Sequence, residues 1–262
     1  MFDFHMHSKV SFDSEMEPRD MVARARELGL KEICFTDHID YEPGRKRGEM
    51  VFSRADYEAA YSGLEGQGVQ LRFGMEFGLM PDNQPDLEYE RSLADYDFII
   101  GSVHFSEGVD VYYPPFWEGR TVLESYDVYL RDTLARVKAH DGFHVLGHLT
   151  YPTKAHANPT HQLFRLEDHR EVVDEIFKTL IAKGKGLEVN TSGMETSGQT
   201  LPPFEFVKRF LELGGEILTV GSDAHRLPRV GIHCHETIKA LGEFTDYVCT
   251  FREGKPVFHK IR

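Results

Sequence analysis

A short apolar segment that ends in two histidines opens the chain, and endings of this kind recur along it. Residues 1–7 read Met-Phe-Asp-Phe-His-Met-His. Alternate residues of a strand point to the same face, so His5 and His7 would aim two imidazoles at one point where the strand ends. Chelation of a divalent metal suits this geometry. A single pair of this kind is equally typical of a strand that meets solvent, and its recurrence is what favours the metal.

Five later apolar runs end in the same residue types. They cover residues 31–36, 69–75, 97–103, 143–147 and 216–221, and they are followed by Asp37-His38, Glu76, His104, His148 and Asp223-Ala224-His225. A further run, residues 186–190, leads into a loop rich in Ser, Thr and Gly. The runs therefore predict seven strands, six of which end in residues that can bind metal.

Segments with apolar residues at helical spacing separate these strands. Helices are predicted near residues 18–28, 54–65, 121–139, 167–183, 203–213 and 233–241, and short strands near 246–251 and 256–260. The Pro- and Asp-rich stretch after Glu76 and the stretch after His104 are predicted as loops. Strands that alternate with helices indicate parallel β-α-β units. Ligand-type residues at the C-terminal ends of so many strands favour a seven-stranded α/β barrel. A doubly wound open sheet is the alternative, although it would gather ligands mainly at one switch point.

Composition limits the class of protein. The chain has 262 residues, 40% of them hydrophobic, and is predicted to form one domain over 1–262. Its formal charge of -13 argues against a partner such as long nucleic acid or an anionic membrane. No stretch approaches the roughly 20 apolar residues of a membrane span, and no secretory signal is evident. The three cysteines are odd in number and form no C-x-x-C pair, which predicts reduced, buried thiols in a cytoplasmic protein.

The candidate ligands are six imidazoles and three carboxylates. They are His5, His7, Asp13, His38, Glu76, His104, His148, Asp223 and His225. One metal ion takes roughly four to six ligands, so nine ligands predict two or three metals in one cavity. The set holds no thiolate and suits Zn, Mn or Fe. Taken singly, each residue could instead cap a helix or make a hydrogen bond in a turn.

The segments His5-Met-His7, Phe35-Thr-Asp-His38, Gly74-Met-Glu76, Gly101-Ser-Val-His104, Leu146-Gly-His148 and Gly221-Ser-Asp-Ala-His225 resemble the PHP (polymerase and histidinol phosphatase) family, in order and spacing over nearly the whole chain. The resemblance is strongest to the stand-alone histidinol-phosphate phosphatases. It implies a distorted (β/α)7 TIM-like barrel with a trinuclear metal centre. The implied ligands are His5, His7, Glu76 and Asp223 for a first metal, Glu76, His104 and His148 for a second, and Asp13, His38 and His225 for a third.

The resemblance also implies a reaction, which is metal-assisted hydrolysis of a small phosphorylated substrate, L-histidinol phosphate in histidine biosynthesis. Glu76 would bridge two metals, and Asp223 or His225 would relay a proton to the leaving alkoxide. An arginine fork suits phosphate recognition. Arg165 is the first candidate, followed by Arg226 and the pair Arg45 and Arg47, and His156 and His161 are further candidate substrate contacts.

One departure from the family pattern bears on the substrate. Histidinol phosphatases often carry a basic residue shortly after the glycine that corresponds to Gly193, where this chain has Met194, Glu195 and Thr196. Another small phosphomonoester, a phosphodiester or a nucleotide is therefore the alternative substrate. A non-catalytic module with the same fold and an amidohydrolase-like barrel with one metal are alternatives of a different class. The sequence leaves the metal's identity and the oligomeric state open.

Overall fold

Seven parallel strands form a sheet that nearly closes into a barrel. The computed structural model describes residues 1–41, 44–46, 48–155, 157–158 and 163–262. Its strands are β1 (Phe2–Asp3), β2 (Glu32–Asp40), β3 (Met50–Val51), β4 (Gln70–Gly78), β5 (Phe98–Ser102), β6 (Phe105–Ser106), β7 (Val109–Asp110), β8 (Val145–Leu146), β9 (Gly186–Asn190), β10 (Leu218–Gly221), β11 (Tyr247–Arg252) and β12 (Lys255–Lys260). The barrel order is β1-β2-β4-β5-β8-β9-β10, and every neighbouring pair is parallel.

The first and last barrel strands meet just beyond their ends. The Phe4 amide donates to the Val220 carbonyl and the His7 amide to the Ala224 carbonyl, each over 3.0 Å. Met6 and Ala224 form an isolated parallel bridge. These contacts join the two sides of the sheet, so the predicted barrel is confirmed and the open doubly wound sheet does not fit.

Helices fill the crossovers between the strands. They are α1 (Pro18–Glu27), α2 (Arg54–Tyr61), α3 (Gln84–Arg91), α4 (Val122–Ala139), α5 (Leu166–Ala182), α6 (Met194–Ser197), α7 (Phe204–Glu212) and α8 (Cys234–Leu241). The longest, α4, begins at a capping box in which the Thr121 hydroxyl accepts from the Glu124 amide and the Glu124 carboxylate accepts from the Thr121 amide. Tyr126, Tyr129 and Leu130 of this helix are buried in the main hydrophobic core. The helices thus cover a sheet whose central strands are buried along most of their length.

The six predicted helices and the two final strands, β11 and β12, are confirmed, and three predicted loops hold further elements. The Ser-, Thr- and Gly-rich loop after β9 contains the short helix α6. Helix α3 lies in the Pro- and Asp-rich stretch, because proline is well placed in a first helical turn and Leu87 anchors the helix in the core. The stretch after His104 contains the β6–β7 hairpin. Strand β2 continues through Asp40 because β3 pairs with its last two residues. His38 therefore lies within β2 rather than just beyond it. Glu76 likewise lies within β4, whose pairing with β2 and β5 extends past it.

The structure also bears on two predictions made from composition, the state of the cysteines and the absence of a membrane span. Cys34, Cys234 and Cys249 are buried and unpaired, as predicted. In the described residues, no helix combines the length and apolar character that crossing a membrane requires.

Candidate metal centre

The nine candidate ligands converge on the mouth of the barrel, at the C-terminal ends of its strands. His5 and His7 follow β1, Asp13 lies on the next loop, His38 is in β2, Glu76 in β4, His104 follows β5, His148 follows β8, and Asp223 and His225 follow β10. The side chains of His5, His7 and Glu76 are fully buried. Barrel enzymes place their active sites at this face.

Glu76 is central to the arrangement because its two oxygens face different histidines. Its Oε2 lies 3.1 Å from His5 Nε2 and 3.4 Å from His7 Nε2. Its Oε1 lies 2.8 Å from His148 Nε2 and 3.2 Å from His104 Nε2. One carboxylate thus joins two groups of imidazoles. We call His5, His7, Glu76 and Asp223 the first group, and Glu76, His104 and His148 the second.

Asp223 completes the first group. Its Oδ1 lies 3.4 Å from His7 Nε2 and 3.7 Å from His5 Nε2. A third group, on the other side of His7, consists of Asp13, His38 and His225. Asp13 Oδ2 lies 3.1 Å from His225 Nε2 and 3.5 Å from His38 Nε2. All nine predicted ligands are brought together at this end of the barrel. Their assignment to individual metals stays a prediction.

The unmet polar atoms of these groups fit divalent metals. His5 Nε2, His7 Nε2 and Glu76 Oε2 are buried and make no hydrogen bond with the described residues. The other nitrogen of each ring is occupied, with His5 Nδ1 2.6 Å from Glu188 Oε1 and His7 Nδ1 3.2 Å from Ser11 Oγ. A ring that donates from Nδ1 presents a lone pair at Nε2. Converging lone pairs and carboxylate oxygens are the donor set of zinc and similar ions.

Mutual charge stabilisation sets the protonation of the metal-free site. Burial raises the pKa of Glu76, but the imidazoles of His5 and His38 outweigh it and hold this pKa well below its usual range. Burial lowers the pKa of His104, but Asp40 and Glu76 raise it to about 10. Protons therefore occupy positions that a cation would take, and metal binding must displace them.

Three charged residues at the site were not among the sequence predictions. Asp40 contacts His104, Glu188 contacts His5, and the Lys154 ammonium lies 2.6 Å from Asp223 Oδ2. Glu188 had a detectable signal, since it is a carboxylate inside an otherwise apolar strand. Asp40 follows His38 by two residues and shares its face of β2. Lys154 lies in an irregular stretch whose position the sequence pattern does not determine.

A cavity of about 590 Å³ opens above the metal-type groups. Arg226, Arg229, Lys154 and Arg45 line it, as do Tyr112, Tyr113, Tyr151, Asp110 and most of the candidate ligands. Arg165 does not line it. Its exposed side chain pairs with Glu167 at the start of α5, and its role as the phosphate contact stays a prediction. His161, His156 and Arg47 lie outside the described residues.

A parallel barrel with clustered imidazoles and carboxylates at its C-terminal mouth defines the class of metal-binding α/β-barrel proteins. Comparison with a family model identifies which family of this class the chain represents. The PHP domain model matches residues 3–192, and the chain belongs to the PHP domain family.

Similar proteins extend over nearly the full length of the chain. The histidinol-phosphatase of Lactococcus lactis is 29% identical over 239 residues, which cover 89% of this chain and 87% of the relative. A protein of Thermotoga maritima named probable histidinol-phosphatase is 28% identical over 250 residues, covering 93% and 92%. The crystal structure of the Lactococcus lactis histidinol phosphate phosphatase, complexed with zinc, L-histidinol and phosphate, superposes with a TM-score of 0.81 at 28% identity, covering 98% of each chain.

Proposed function

We propose that this protein is a metal-dependent phosphatase that hydrolyses L-histidinol phosphate to L-histidinol and phosphate. The observation that carries the proposal is Glu76, whose two oxygens contact four histidines of two adjacent ligand groups. The named relatives and the zinc-, histidinol- and phosphate-bound neighbour agree with it.

The three ligand groups would hold two or three divalent cations. Zinc is the first choice, because the neighbouring structure contains it and the donors are imidazoles and carboxylates. Manganese and iron suit the same donors. Bound cations would neutralise charge on the phosphoryl oxygens and lower the pKa of water at the site. Glu76 would be shared between the first and second groups.

Lys154 would hold the phosphoryl group. Its ammonium donates to Asp223 Oδ2 over 2.6 Å and to Ser192 Oγ over 3.0 Å. An ammonium has three donors, and the third has no hydrogen-bond partner among the described residues. Since Lys154 lines the cavity, this donor can reach a phosphoryl oxygen of the substrate. Arg226 lines the same cavity and can contribute a guanidinium fork.

Asp223 and His225 fit metal binding better than proton relay. Burial raises the pKa of Asp223, but Lys154 and His5 outweigh it and hold that pKa well below its usual range, so the carboxyl group carries no proton. His225 Nδ1 donates to the Asp223 carbonyl over 3.0 Å, and its Nε2 lies 3.1 Å from Asp13 Oδ2, so both ring nitrogens are engaged. Neither residue directs a proton at the cavity.

Glu195, part of the departure from the family pattern, favours a second candidate substrate, another small phosphomonoester. It pairs with Arg229, which lines the cavity from the loop after β10. A cation is therefore present near the place where related enzymes carry a basic residue, but it comes from a different loop and is partly neutralised. The organic half of the substrate would meet a different surface there.

Steady-state phosphate release tests the proposal. Zinc- or manganese-loaded protein is assayed with L-histidinol phosphate, a panel of other phosphomonoesters and one phosphodiester. A kcat/KM of about 10⁴ M⁻¹s⁻¹ or more for histidinol phosphate alone is expected, since this is the lower end of the usual enzymatic range. Weak turnover of all monoesters would support phosphatase activity but refute L-histidinol phosphate as the specific substrate. No turnover by metal-replete protein would favour a non-catalytic module.

A further inference from the structure

Asp40 lies between two of the proposed metal groups and contacts a histidine of each. It ends β2, and its side chain is 3% exposed. Its Oδ1 lies 3.1 Å from His104 Nδ1, and its Oδ2 lies 3.3 Å from His38 Nδ1. His104 belongs to the second group and His38 to the third. A single buried carboxylate thus faces the rear nitrogen of two candidate ligands from different groups.

The carboxylate beside Nδ1 determines which nitrogen of each ring is free to bind a metal. A neutral imidazole carries one N–H, and a carboxylate at Nδ1 favours the tautomer with its proton there. Nε2 is then a lone pair. In His104 this atom faces Glu76 at 3.2 Å, and in His38 it faces Asp13 at 3.5 Å. The contact with His104 is a hydrogen bond, whereas the contact with His38 is a close ion-pair distance without hydrogen-bond geometry. His38 Nδ1 also lies 3.1 Å from Glu76 Oε2.

Gly78 provides an independent sign that the site is built around this carboxylate. It lies on β4 beside Asp40, one residue beyond the paired Ile39 and Phe77. A Cβ added at Gly78 would lie 1.8 Å from Asp40 Oδ1, far inside van der Waals contact. The missing side chain at position 78 is therefore what lets the Asp40 carboxylate occupy its place.

Glu188 performs the corresponding task for the first group. Its Oε1 lies 2.6 Å from His5 Nδ1, and its Oε2 accepts the backbone amide of His148 over 2.8 Å. Within the described part of the chain, Asp40 makes no hydrogen bond or ion pair with His5 or His7. The two buried carboxylates therefore contact the rings of different histidines, His5 for Glu188 and His38 and His104 for Asp40.

We propose that Asp40 is a positioning residue that fixes the tautomer and orientation of His38 and His104 together, and so couples metal binding at the second and third groups. The first group does not depend on it. This inference rests on the metal assignment in the proposed function. It does not depend on the identity of the substrate.

The test is metal occupancy of Asp40→Asn. An asparagine keeps the size of the side chain, but its single acceptor oxygen can serve only one of the two N–H groups. Loss of such an outer contact typically lowers metal affinity about 10–100-fold. Crystals of zinc-loaded D40N, equilibrated with a weak chelator, are expected to show reduced anomalous scattering at both sites bounded by His38 and His104. The site at His5 and His7 should retain the wild-type signal.

Two further variants sharpen the test. Gly78→Ala should reproduce the D40N pattern, because the new Cβ displaces the carboxylate without removing it. Glu188→Gln should instead reduce the signal at the first group. Circular dichroism and the thermal midpoint establish that each variant is folded. Full occupancy of all sites in D40N, loss at only one of the two coupled sites, or equal loss at the first group would each overturn the inference. Wild-type protein with no zinc at these groups would instead refute the metal assignment itself.

Discussion

Replacing Glu76 by glutamine should disable the site while leaving the barrel folded. The side chain keeps its size, but it loses the charge that both oxygens present to the surrounding imidazoles. One oxygen becomes an NH₂ group, which cannot accept from a histidine or bind a cation. Either orientation of the amide therefore damages the first or the second group. We expect weaker metal binding at both, because Glu76 would be shared between them.

The size of the effect follows from the contacts. Glu76 lies 2.8–3.4 Å from five imidazole nitrogens. A hydrogen bond to a charged group is worth about 1.5–3 kcal/mol, so the loss of two such contacts amounts to about 3–6 kcal/mol. At 1.36 kcal/mol for each factor of ten, kcat/KM for histidinol phosphate should fall by about 10²–10⁴-fold.

The assay pairs this activity with metal content, measured by mass spectrometry after gel filtration. Glu32→Gln is the matched control, because Glu32 is also buried in a barrel strand but pairs with Arg72 near the N-terminal end of β2. It should keep wild-type metal content. An E76Q protein with the metal content and kcat/KM of the wild type would refute the placement of Glu76 at the centre of the site.

Four further predictions concern metal, phosphate and protons. Stripping the metals should lower the thermal midpoint by about 8–16 °C in a calorimetric scan, since a ligand at 1,000 times its Kd stabilises by about 4 kcal/mol and each kcal/mol shifts a chain of this size by about 2–4 °C. Lys154→Met should lower kcat/KM by about 10–100-fold with unchanged metal content, because one charge-assisted contact worth about 1.5–3 kcal/mol is lost; depleted metal would show a supporting role instead. Arg226→Ala should raise KM for histidinol phosphate by about tenfold or more, because it too loses a charge-assisted contact. Arg165→Ala should leave KM unchanged. Equal effects of the two substitutions would contradict the proposal that the substrate binds in the cavity lined by Arg226. Zinc added to metal-free protein at pH 7 should release protons, because Asp40 and Glu76 outweigh burial and raise the pKa of His104 to about 10 without metal. Zinc affinity should therefore rise with pH. Calorimetry in buffers of different ionisation enthalpy measures the number of protons released.

The barrel was predictable because its strands are apolar runs that are followed by polar residues. Residues 186–190 and the final hairpin were located to within about a residue, since apolar runs and turn residues bound them on both sides. Helix α3 was missed because its eight residues are mostly polar, and only Leu87 and Glu90 of them are buried. Its helical state depends on packing against the sheet, which the local sequence does not encode.

The candidate ligands were predictable for the same reason that the barrel was, because all of them except Asp13 lie at or next to the C-terminal end of a recognisable strand. The residues that support them were not. Asp40 needs the empty position at Gly78 on a neighbouring strand, and Lys154 reaches Asp223 from a different loop. Arg165 follows the fifth strand in the sequence, and its exposed side chain lies at the start of α5. Such contacts arise from the relative placement of loops, for which hydropathy carries no signal.

The junction between the first and last barrel strands has a consequence for how the protein is made. The Asp3 carboxylate accepts from the amide and the hydroxyl of Ser222, a residue 219 positions further along the chain. At a ribosomal rate of about 5–20 residues per second, His5 and His7 wait roughly 10–40 s before Asp223 and His225 have been synthesised. Zinc that arrived during that interval would find only part of its ligand shell. The complete centre is therefore a late product of biosynthesis, and a chain stalled before residue 223 would expose several histidines to free metal without the carboxylate that completes the first group.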